Sequence, residues 1–234
     1  MVRAAAALLT APLVALVYFA LAPELPSLGG GDGAVLVADA VGLTMVALTV
    51  STLLPAWRAE PVLLAVGAVG AAGTIALNLA GVGALANIPE ALLASAVGFL
   101  LARRLATPAV AIAVPLFVAA IDVWSVASGP TSRLVDASGD PVDALSFDLP
   151  AWGGGSAGRL GLTDAVFLAM FAGWAWRYGL RRKTTLAGLL AGLLAALVLS
   201  LVLDEAIPAL PLVAAGYLLP NLDRLLRVLR GRRA

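Results

Sequence analysis

Acid–base chemistry in this chain falls to carboxylates, because the residues that usually share it are missing. The 234 residues include neither cysteine nor histidine. That excludes disulfides, a thiol nucleophile, a Cys/His metal site and any serine–histidine pair. Lys183 is the single lysine, so a serine–lysine mechanism has one possible base. Three aspartates, Asp39, Asp122 and Asp164, stand inside long apolar runs. An ionisable group within a membrane span is costly and marks a functional site. Two carboxyls a few ångströms apart cannot both ionise, so they share a proton. The ionised member can then activate water, while the protonated one polarises a carbonyl and later protonates a leaving nitrogen.

The elements that position these groups follow from composition. Hydrophobic residues make up 62% of the chain, charged residues only 12%, and the mean hydropathy is +1.01. Soluble domains carry about 25% charged residues. The apolar runs far exceed the roughly 10 residues of a barrel strand, so the fold class is all-α, a polytopic helical membrane protein. Eight spans are expected, at Ala4–Leu21, Ala34–Trp57, Pro61–Val82, Ile88–Leu101, Pro108–Ser128, Leu160–Tyr178, Thr184–Leu203 and Ile207–Leu222. They form one integral membrane domain, with a four-helix part over residues 1–104 and a second half over 105–234. Asn87-Ile-Pro-Glu90 reads as an N-cap, an early proline and an N3 glutamate, which starts the fourth helix there and makes Glu90 a capping residue. Gly67, Gly70 and Gly73, and Gly188-x-x-x-Gly192, are small residues at helical spacing that let backbones approach closely.

Orientation follows from the basic residues. Arg3, Arg58, Arg103–Arg104, the Arg177–Lys183 cluster and the Arg224–Arg233 tail are separated by pairs of spans, so all fall on one side, the cytoplasmic one. Both termini are then inside, and Glu24, Asp32, Asp204, Glu205 and the loop of residues 129–159 lie outside. Arg3, an apolar run and Ala20-Leu-Ala22 also resemble a signal peptide, but the run is long for one. A net charge of +1 with basic residues confined to loops gives no sign of a nucleic-acid partner.

Depth brings two of the aspartates together. At about 1.5 Å per residue, Asp122 lies roughly 9 Å before Ser128 at the outer end of its span. Asp164 lies roughly 6 Å past Leu160 on the next span, on the same rise. Consecutive helices are usually neighbours, so the two can face each other. Asp39 has a similar depth but no motif around it, and is left outside the site.

The flanking residues add a resemblance. Asp122 in one span, Gly161-Leu-Thr-Asp164 opening the next and Pro208-Ala-Leu210 opening the last recur in an order similar to that of the presenilins and signal peptide peptidases, the intramembrane aspartyl proteases. The likeness covers Pro108 to Asn221 and implies a prokaryotic, divergent member in the cell membrane. It implies a presenilin-like catalytic half with Asp122 and Asp164 as the catalytic pair. Gly161, Leu162, Thr163, Pro208, Ala209 and Leu210 become the substrate-binding positions, and no cofactor or metal is required. The implied partners are transmembrane peptides or proteins and the lipid bilayer. Two positions depart from the family pattern: Ile121 stands where a tyrosine precedes the first aspartate, and Thr163 replaces the second glycine of Gly-x-Gly-Asp. Thr163 can narrow the cleft, or donate a hydrogen bond to Asp164.

The resemblance also implies that chain near the second aspartate pairs with an unwound substrate as a strand. Leu145–Leu149 alternates apolar and polar residues at the period of a strand. Leu160–Leu162 or Leu145–Leu149 is therefore expected to be irregular without substrate and extended with it. Two other classes compete. A transporter with an acid-lined path would usually show matching halves, and none is visible. A prepilin peptidase resembles the motif too, but its lysine position holds Val166 and its aspartates face the cytoplasm.

Overall fold

The computed structural model describes residues 2–29, 31–128, 146–203, 205 and 207–231. The described chain is mostly helical, as the composition demands. In order it forms α1 (Val2–Leu21), α2 (Asp32–Thr52), α3 (Glu60–Leu79), α4 (Gly83–Arg104), α5 (Val110–Ser128), β1 (Ser146–Pro150), β2 (Ser156–Gly161), α6 (Leu162–Arg177), α7 (Arg182–Leu203), α8 (Leu210–Leu218) and α9 (Leu222–Leu229). Five stretches are long and apolar enough to cross a membrane: Asp32–Ala56, Glu60–Leu79, Gly83–Arg104, Val110–Ala127 and Arg182–Leu203. Helix α3 leaves Val69, Ile75 and Leu79 exposed, a surface suited to lipid. Helix α6 is short, rising about 24 Å against a hydrocarbon core of about 30 Å, and it buries Leu168, Phe171 and Trp174 within the protein.

The chain divides into two compact units, Met1–Leu100 with Asp143–Ala169, and Leu101–Val142 with Met170–Ala234. In the first, α3 packs on α4 through its glycine stripe. A Cβ at Gly70 would stand 2.8 Å from the Pro89 carbonyl oxygen, and one at Gly73 would stand 2.9 Å from the Pro89 Cβ. The stripe read as structural in the sequence therefore is structural. Helix α4 does not begin at Asn87. It starts at Gly83, directly after a turn in which Gly81 takes a φ of 73°. The Asn87 side chain cannot cap the helix because it is bonded to β1. Glu90 is correspondingly no cap but a buried acid, 2% exposed, one of whose oxygens accepts a 3.4 Å bond from Asn78 Nδ2.

In the second unit, α7 and α8 cross in backbone contact. Gly188 lies on Gly216, and a Cβ at Gly192 would stand 2.5 Å from the Leu212 carbonyl oxygen. Phe171 stacks on Trp174 and Tyr217 at centroid separations of 5.9 and 5.1 Å, and Trp174 Nε1 donates to the Leu105 carbonyl at 3.0 Å. Asn221 ties the base of α8 to α7. Its Nδ2 donates to Thr185 Oγ1 at 2.7 Å and to the Tyr217 carbonyl at 2.8 Å, while its Oδ1 accepts from the Arg181 N–H at 3.0 Å. Arg181 also clasps Asp223 at 2.6 and 3.1 Å. That hydrogen bonding, reinforced by Arg227, holds the Asp223 carboxyl well below the ordinary carboxylate range. A depressed pKa means the pair's contribution is present at neutral pH and through mild acid, and is lost only in strong acid. Being exposed, the pair adds little to global stability and acts mainly to locate α9.

The α7–α8 crossing makes a direct expectation. Gly192→Val should lower stability by about 1–3 kcal/mol through overpacking. Gly33→Ala, with no atom within 4 Å of the added carbon, should stay within about 0.5 kcal/mol. Thermal unfolding of the two variants in detergent checks both; equal midpoints would contradict the close crossing.

Candidate active site

Asp122 is placed by a helix whose neighbouring side chains turn outward. Ile121, Val123 and Trp124 are exposed on α5, whereas Asp122 is half-buried. Its Oδ2 accepts the backbone N–H of Leu210 at 2.9 Å. The local reason lies in the sequence at the start of α8. The first N–H groups of a helix have no partner inside it. The residue in the N-cap position is Ala209, which has no side-chain oxygen to offer. Asp122 satisfies that donor from another helix, and its negative charge suits the positive end of the α8 dipole. The first aspartate and the Pro208-Ala-Leu210 segment, 88 residues apart, are thereby brought together. Leu210 is buried, and Pro208 and Ala209 are half-buried beside it.

Asp164 occupies the third position of α6, immediately after β2. Its carboxylate folds back over Gly161. A Cβ on that glycine would stand 3.2 Å from Asp164 Oδ2 and 3.5 Å from Thr163 Oγ1. The glycine that ends β2, three residues before Asp164, is what leaves room for the acid. Leu162 and Asp164 are half-buried, and Thr163 is exposed. Asp122 with Pro208–Leu210 belongs to one compact unit and Asp164 with Gly161–Thr163 to the other, so each half of the motif set is assembled inside its own unit.

The segments expected to be irregular are already paired. Ser146–Pro150 and Ser156–Gly161 form an antiparallel hairpin with Phe147 opposite Leu160 and Leu149 opposite Gly158. Leu145 and the preceding loop from residue 129 lie outside the described residues, and Leu162 belongs to helix rather than strand. The pairing has a clear cause. Phe147, Leu149 and Leu160 share one buried face, and Gly153, Gly154 and Gly155 take φ values of 89°, 98° and 85° in the reversal, a region glycine enters without strain.

Two residues outside the expected site hold this hairpin. Asn87 Nδ2 donates to the Asp148 carbonyl at 2.6 Å, and Asn87 Oδ1 accepts the Asp148 N–H at 3.0 Å. One side-chain amide thus satisfies both main-chain groups of a β1 residue, as an adjacent strand would. Asp39, which the sequence left aside, is 1% exposed and lies against β2: a Cβ at Gly158 would stand 2.6 Å from its Oδ2. Its Oδ1 has no hydrogen-bond partner among the described residues, and neither has Oε2 of Glu90. Tyr18 completes the surround, donating to the Ala38 carbonyl at 3.2 Å and accepting from Trp152 Nε1 at 3.3 Å. No sequence signal pointed to the Asn87–Asp148 pair, which spans 61 residues. Burial of Asp39 in an apolar run was the one available hint.

Among the described residues, no group of three or more His, Cys, Asp or Glu side chains could hold a metal ion. A comparison of the chain with protein-family models, with curated proteins and with solved structures returns no match.

The Asn87 clamp is checked by changing one atom. In Asn87→Asp the acceptor toward the Asp148 N–H remains, but the donor toward its carbonyl exists only when the new carboxyl is protonated. Hydrogen-exchange protection of Phe147–Leu149 is expected to be greater in acid and to fall as pH rises. Asn87→Leu should lose protection at every pH, by about 1–3 kcal/mol for the groups left unsatisfied. The wild type serves as the control for the native acids Asp148 and Glu90. Unchanged protection in both variants would show that the amide does not hold β1.

Proposed function

We propose that this chain is an intramembrane aspartyl protease of the presenilin and signal peptide peptidase type, hydrolysing peptide bonds within transmembrane segments or remnant signal peptides. The observation that carries the reading is the 2.9 Å bond between Asp122 and the Leu210 N–H. The acid of one expected motif holds the backbone of another, at a helix start where chance neighbours would have no reason to meet.

In this reading Asp122 and Asp164 approach across a wet cleft and share one proton. The ionised carboxylate takes a proton from water as its oxygen bonds to the scissile carbonyl carbon. The protonated one hydrogen-bonds the carbonyl oxygen, then passes its proton to the departing nitrogen as the C–N bond breaks. The pair titrates as a unit, so neither member is permanently the base. Gly161–Thr163 and Pro208–Leu210 flank the unwound substrate. Helices α1, α6 and α8 join the five long helices to make eight spans, with both termini in the cytoplasm and residues 129–159 outside. A second reading, a carboxylate-lined path for protons or cations, is favoured by the buried, unpartnered oxygens of Asp39 and Glu90.

Cleavage of a labelled transmembrane peptide by purified protein separates the two. Under the protease reading Asp122→Asn and Asp164→Asn each lower kcat at least about 100-fold, the scale of general acid–base catalysis, while Glu90→Gln still cleaves. Thr163→Gly should raise the rate if the threonine crowds the cleft, and shift the acidic limb of the pH profile if it donates to Asp164. No cleavage by the wild type, together with proton flux abolished by Asp39→Asn and Glu90→Gln, would replace protease by path.

A further inference from the structure

The C-terminal helix α9 is built unlike any other in the chain. At 3.6 residues per turn, Leu222, Leu226 and Leu229 gather on one stripe, with Arg224 and Arg227 on the far side and Arg230, which caps the helix, at the edge of the stripe. The stripe is not covered by protein: the three leucines are 46%, 36% and 48% exposed, whereas Leu225, next to them on the wheel, is fully buried. The helix is therefore anchored along one line and open along another.

Its position is fixed as firmly as its composition. The 3₁₀ turn Leu219–Asn221 joins it directly to the apolar helix α8, and Asn221 is buried with three hydrogen bonds. Arg224 Nη1 donates to the Gly179 carbonyl at 2.8 Å, and Arg181 bonds both Asp223 and the Pro220 carbonyl. The loop that ends at Arg181 and the start of α7, which carries Arg182 and Lys183, are thus tied to α9. Asp223 is the one acid on α9, and two arginines already neutralise it. Arg182 stacks over Trp176, 4.8 Å from the ring centroid, an aromatic–cation pair of the sort found at the headgroup level.

We propose that α9 and the α6–α7 junction of residues 177–183 form a docking surface for anionic phospholipid, with Leu222, Leu226 and Leu229 among the upper acyl carbons and the cationic arc on headgroup phosphates. Charge complementarity chooses the occupant. An apolar stripe alone would suit a second protein, but a stripe rimmed by arginines and continuous with a membrane-crossing bundle meets an anionic leaflet first. An interfacial helix draws its affinity from just these two sources, buried apolar area and attraction to anionic headgroups. The surface is independent of the catalytic reading, since it includes none of Asp122, Asp164 or their flanking motifs.

The test uses the full chain in bilayers. Because the protein has no cysteine, Leu226→Cys and Arg230→Cys each give a single labelling site. Lipid-anchored quenchers should place the label at position 226 at acyl depth and the label at position 230 at the phosphates. Thermal unfolding should occur at a higher temperature in phosphatidylglycerol-containing nanodiscs than in phosphatidylcholine alone, and the difference should shrink with salt. In Arg182→Gln/Lys183→Gln/Arg230→Gln, which leaves the Arg181, Arg224 and Arg227 contacts intact, retention of phosphatidylglycerol should fall about fivefold per charge removed, with the phosphatidylcholine midpoint unchanged. Both labels in bulk water, quenching at position 226 only in a cross-linkable dimer, or equal stabilisation by inorganic phosphate would each overturn the proposal.

Discussion

In an apolar solvent every main-chain polar group must find a partner within the protein, and this chain depends on how it meets that demand where its helices stop. A continuous helix meets it alone. The breaks do not, and three of them are closed by a polar side chain reaching from elsewhere in the chain. Asp122 takes the Leu210 N–H, Asn87 takes both groups of Asp148, and Asn221 takes the Arg181 N–H. Remove these four bonds and the start of α8, the outer edge of the hairpin and the turn into α7 all lose their fixed geometry.

Close backbone contact does the rest. Lipid tails are as apolar as leucine, so helices gain adhesion by approaching until carbonyls and Cα atoms touch. Gly70 against Pro89 and Gly188 against Gly216 are such points. The same economy of volume operates beside the acids. Gly158 leaves room for the Asp39 carboxylate, and Gly161 leaves room for that of Asp164. A side chain at Gly158 would force the Asp39 carboxylate aside, and one at Gly161 would crowd that of Asp164.

The proposed chemistry draws on groups that already have structural work. Asp122 holds a helix start, and in sharing a proton with Asp164 it would keep that bond through one oxygen while the other faces water. The bond ties the acid to the Pro-Ala-Leu backbone within one unit. Asp39 lies against the strand that leads into Asp164, in the same compact unit, which links a third carboxylate to the hairpin.

The five long apolar helices and the glycine stripes were legible in the sequence because each is a local property. An apolar run of about 20 residues is long enough to cross a membrane whatever its neighbours do, whereas the alternation through Phe147 and Leu149 gave only the period of a strand, and its pairing with β2 without substrate was not foreseen. The pairing of Asp122 with the Pro-Ala-Leu segment was half legible, through matched depth. Asn87 and Glu90 were misread because Asn-x-x-Glu is a good capping pattern locally. Only folding brought the edge of β1 within reach of Asn87, and two main-chain groups of a strand outcompete one helix end for the same amide. Whether a buried polar side chain caps its own helix or serves another segment is settled by which unsatisfied donor lies nearest in space, and that distance exists only once the chain is folded.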